Sequence, residues 1–63
     1  MAELFFQYDN VPYVFNTRLL KLFRLDHTRI TEISSPEILR NIRFDSIEIN
    51  REQAFTLAKE IPK

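Results

Sequence analysis

The sequence contains no glycine in 63 residues. Average usage near 7% would place about four in a chain of this length. Every turn must therefore be built from residues that carry a Cβ, and a positive φ falls to Asn or Asp, which tolerate it best. The candidates are Asp9, Asn10, Asp26, Asn41, Asp45 and Asn50, most of them at breaks in the hydrophobic pattern. Lack of glycine also excludes P-loops and dinucleotide fingerprints, in which bare backbone closes around a phosphate.

A two-residue turn at Asp9-Asn10 brings "ELFFQY" and "VPYVFN" into register. Tyr8 then faces Val11, Phe6 faces Tyr13 and Leu4 faces Phe15, six apolar side chains on one side of a ribbon. Glu3, Phe5, Gln7, Pro12, Val14 and Asn16 occupy the other side. Asp and Asn both reach the left-handed region that such hairpin turns require. Pro12 points its missing amide away from the hairpin partner, which hinders a further strand on that side and marks an edge.

Beyond the hairpin, "NTRLLKLFRLD" predicts a short helix capped by Asn16 or Thr17. At 100° per residue, Leu19, Leu20, Leu22, Phe23 and Leu25 share a broad face, and Arg18, Lys21 and Arg24 form a basic stripe opposite. "RITEI" predicts a brief strand. Ser35, Pro36 and Glu37 open a second helix as cap, first-turn proline and dipole-compatible acid, with Ile38, Leu39 and Ile42 inward and Arg40 and Arg43 outward. "DSIEI" predicts a strand with Ile47 and Ile49 inward and Glu48 outward. A last helix starts at about Asn50, where Gln53 completes a capping box. Ala54, Phe55, Leu57, Ala58 and Ile61 line its apolar stripe, and Pro62 closes it.

The fold expected is a small single α+β domain spanning residues 1–63: an N-terminal β-hairpin and about four short strands packed with two or three helices. The order is strand, strand, helix, strand, helix, strand, helix. With 44% hydrophobic residues the chain is not disordered by composition. With no cysteine and one histidine, disulfides, thiolate metal sites and an all-protein zinc site are not expected. No apolar run nears the ~18 residues that span a bilayer and no leader pattern is present. The expectation is a cytoplasmic protein with no membrane partner.

His27 beside Asp26 reads as a turn pair, since adjacent side chains rarely converge, and Ser34, Ser35 and Ser46 read as caps or turn residues. No carboxylate spacing suggests paired acid–base work. The sequence thus predicts no enzyme, catalytic residue, cofactor, metal or small-molecule substrate. It predicts a protein-binding or regulatory module that partners another protein or itself as a homodimer. Phe5 and Val14 oppose each other on the mixed face of the hairpin, so either helices flank both faces or another chain covers the remainder. With Tyr8 and Tyr13 these are the expected interface residues. The alternative is nucleic-acid binding, with Arg18, Lys21 and Arg24 on phosphates. Nine basic against nine acidic residues argue against it, because nucleic-acid binders usually carry a basic excess.

Overall fold

A computed structural model describes residues 2–61. The elements are β1 (Glu3–Tyr8), β2 (Val11–Asn16), β3 (Lys21–Leu25), β4 (Ile30–Ile33), α1 (Pro36–Asp45), β5 (Ile47–Ile49) and α2 (Arg51–Glu60). The strands form one antiparallel sheet in the order β4-β3-β2-β1-β5. Among the described residues the architecture is α+β, with five strands and two helices. The expectation for Pro62 lies outside the described residues.

Asp9 and Asn10 adopt φ of 53° and 61°, the left-handed pair that joins two strands without splaying them. Their turn sets Tyr8 against Val11, Phe6 against Tyr13 and Leu4 against Phe15. Of the other Asn and Asp residues proposed for positive φ, none takes it. Asn50 caps α2 at φ −91°, while Asn41 and Asp45 lie within α1. The third left-handed residue is Leu20, φ 55°.

The segment expected to be the first helix is a tight turn followed by β3, so that expectation is corrected. Asn16 does behave as a cap: its Oδ1 accepts from the amides of Arg18 and Leu19, both at 3.0 Å. The turn then closes with Leu20 N–H donating to the Asn16 carbonyl at 2.8 Å, a single helical turn that is not continued. Leu20 in the left-handed region sends the chain back along β2. The periodicity misled because this sheet is covered on both faces. A strand buried on both sides reads as a near-continuous apolar run, which a short helix also does. Lys21 is tolerated in β3 because it sits at the exposed strand end, 3.9 Å from Glu32.

Pro12 marks the end of a ladder rather than a sheet edge. β3 does pair on that side of β2, but pairing starts at Tyr13↔Arg24, one residue short of the proline. Its ring is fully buried, and the missing N–H leaves no donor for Leu25 to meet.

The helices lie on opposite faces of the sheet. α1 crosses one face, connecting β4 at one edge to β5 at the other, and packs Ile38 and Ile42 among Phe6, Tyr8, Val11, Tyr13, Phe15, Leu22 and Ile33. α2 returns across the other, with Ala54 and Ala58 set among Phe5, Val14, Phe23, Leu25 and Ile49. Two alanines one helical turn apart let α2 approach closely, which is why the mixed face of the hairpin is the better buried one. Both predicted N-termini hold. Ser35 Oγ accepts from Ile38 N–H at 3.5 Å, and Asn50 and Gln53 exchange hydrogen bonds of 2.8 and 3.0 Å. Ile47 was expected inward and is instead exposed, because β5 is an edge strand and α2 covers only its Ile49 end.

Candidate interaction surface

Phe5, Tyr13 and Val14, three of the four residues predicted to meet a partner, are buried within the chain. Phe5 and Val14 lie under α2, Phe5 also meeting the Phe55 ring edge-on at 6.3 Å. Tyr13 lies in the α1 cluster, with half-buried Tyr8 packed against it. Burial pushes the Tyr13 phenol above its ordinary pKa of 10.0; the nearby Arg24 guanidinium opposes this. Of the two covers foreseen for Phe5 and Val14, the fold supplies the internal one.

The basic stripe is not brought together. Arg18 lies in the turn, and Lys21 and Arg24 lie on opposite faces of β3, three residues apart in an alternating element. Arg24 holds Asp26 at 3.3 Å, and its buried Nε has no hydrogen-bond partner among the described residues. Asp26 and His27 diverge: His27 Nδ1 pairs with the Lys59 carbonyl at 3.0 Å, tying the β3–β4 turn to the end of α2. Among the described residues no three His, Asp or Glu side chains are placed to hold a metal ion. No helix among them is long and apolar enough to cross a membrane.

Apolar side chains face outward at Phe44 and Ile47, 70% and 65% exposed, and at two further sites. The first is the turn of residues 17–20, where Leu19 and Leu20 are 60% and 75% exposed, with Arg18 and Lys21 on either side. Leucine in the left-handed region costs roughly 1–2 kcal/mol relative to the usual backbone regions. The signal in the sequence was the absence of Gly or Asn at the last position of a four-residue turn. The second lies beside β4, where Ile30 is 67% and Phe55 43% exposed. Together with Leu25 and Ala58 they line a shallow cleft against the 26–29 turn. A further groove runs between α1 and the sheet, lined by Phe6, Phe15, Leu22, Leu39, Ile42 and Arg43.

Fold and surface together define a small α+β protein, among the described residues a five-stranded antiparallel sheet with one helix on each face and apolar side chains exposed at several places, the 17–20 turn and both sheet edges among them. No protein family, curated protein or solved structure matches the chain.

Proposed function

We propose that this chain is a non-enzymatic protein-binding module whose contact point is the β2–β3 turn. The observation that carries this reading is Leu20, a large apolar side chain 75% exposed on a backbone conformation that disfavours it. Asn at that position would relieve the backbone and present a polar surface. Strain at an exposed apolar residue contributes nothing to folding, and such outliers concentrate at binding sites. Leu19 beside it enlarges the tip, and Arg18 and Lys21 favour a receptor whose apolar pocket has an acidic rim. The nucleic-acid alternative has lost its single basic face, and the aromatic side of the hairpin is covered by the chain's own helices.

Replacing Leu20 with Asn separates binding from folding. It should raise stability by about 0.5–1 kcal/mol while abolishing capture of a partner held by the unaltered protein. Cross-linking in cell extract, comparing the two chains side by side, reads the binding arm. Equal capture by both chains would remove the tip from the reading.

A further inference from the structure

We propose that the groove between α1 and the sheet binds a medium-length, straight-chain aliphatic carboxylate, its hydrocarbon body against the sheet and its carboxylate on Arg43.

The groove follows from how the two helices are seated. Ala54 and Ala58 let α2 settle closely on Phe5 and Val14, whereas α1 rests on the bulkier Ile38 and Ile42. α1 also lies chiefly over β1, so Phe15 and Leu22, paired across β2 and β3, are left to one side of it. Between them is a space of about 350 Å³, walled by Phe6, Phe15, Leu22, Leu39 and Ile42, with Arg43 at its rim. Leu22 and Ile42 are buried and make the floor, while Leu39 is exposed at the lip. Small-ligand sites run from roughly 300 to 1,000 Å³, so the groove falls at the compact end of that range. At ~30 Å³ for a water-sized group, it has room for about a dozen methylenes.

The lining fixes the chemistry of the occupant. Every wall residue is hydrocarbon, so the body that fits is apolar. Arg43 is the one charged side chain on the groove, and its sign selects the head. Its guanidinium lies over the Phe44 ring, 5.4 Å from the centroid, and pairs with no carboxylate among the described residues. A guanidinium fork matches the two oxygens and single charge of a carboxylate. A phosphate monoester carries nearly two charges, one more than Arg43 balances. The exposed leucines of a second copy suit the groove poorly. Leu19 and Leu20 arrive with Arg18 and Lys21 beside them, which sets cations against Arg43.

Calorimetric titration of the full chain with straight-chain carboxylates, kept below micelle-forming concentrations, tests this. One molecule is expected to bind per chain, with affinity rising about fourfold for each methylene from hexanoate to decanoate. Decanol keeps the body and lacks the charge, and should bind roughly fivefold more weakly. Arg43→Gln should bring decanoate down to the level of decanol and leave decanol unchanged, while Arg43→Lys restores part of the difference. Adding decanoate should shift the amide resonances of Phe6, Phe15 and Leu22 and leave those of Ala54 and Ala58 in place. Should Arg43→Gln unfold, the comparison of decanoate with decanol on the unaltered chain decides the matter. Absence of decanoate binding would overturn the proposal, as would equal affinity for decanoate and decanol, or shifts confined to the α2 face. Shifts at Phe15 and Leu22 that follow protein concentration alone would overturn it too, by giving the groove to a second copy.

Discussion

Leu20 and Tyr13 show how single residues set limits on this fold. Leu20 does the work of a glycine in a chain that has none, and the Asn substitution described above tests the energetic side of that choice. Tyr13 carries a different consequence. Because the folded state holds its phenolic proton more tightly than the unfolded chain does, its contribution to stability is intact below pH 10. It is lost as pH rises through the folded value, since the unfolded state then releases the proton first. The urea midpoint should therefore fall above about pH 10, and Tyr13→Phe should flatten that fall. Arg24 on the neighbouring strand acts in the opposite direction on the same phenol, so Arg24→Met should steepen it.

At the level of elements, α2 is held by its start and by its small residues. Losing the Asn50 cap in Asn50→Ala should cost about 1 kcal/mol, a fall in Tm of roughly 4–8 °C for a domain of this size. Ala54 is fully buried, and Ala54→Leu should lift α2 from the sheet at a cost of about 1–3 kcal/mol, measurable by denaturant titration. These local features were legible from residue types alone: the Asp9-Asn10 turn, the hairpin register, the Ser35 and Asn50 caps and the identity of both remaining helices. The β3 segment was not, because period-two alternation appears only where one face of a strand meets water. Nor could the sequence say which hairpin face would be the better covered. That depended on Ala54 and Ala58 coming to rest over Phe5 and Val14, a contact between distant parts of the chain. The exposed tip and the β4 edge became visible only once Leu19, Leu20 and Ile30 had places outside the core.

Taken whole, the molecule divides a small core between two faces, and each face depends on one helix. Stability of about 3–9 kcal/mol is expected for a chain this short. Phe5→Ala should remove about 3–5 kcal/mol of it and leave the chain largely unfolded near 37 °C by circular dichroism. An interface residue, as Phe5 was expected to be from the sequence, would instead leave the fold intact when altered; the burial of Phe5 under α2 is the reason for the difference. The strand order has one more consequence, for how the protein is made. The first four strands can pair with their neighbours as they emerge from the ribosome, but β1 waits for β5, and Phe5 and Val14 wait for α2. Throughout that interval the nascent chain has two open edges and an uncovered aromatic face. The period of greatest exposure to chaperones, proteases and other nascent chains thus falls after the first four strands have paired and before α2 docks over Phe5 and Val14.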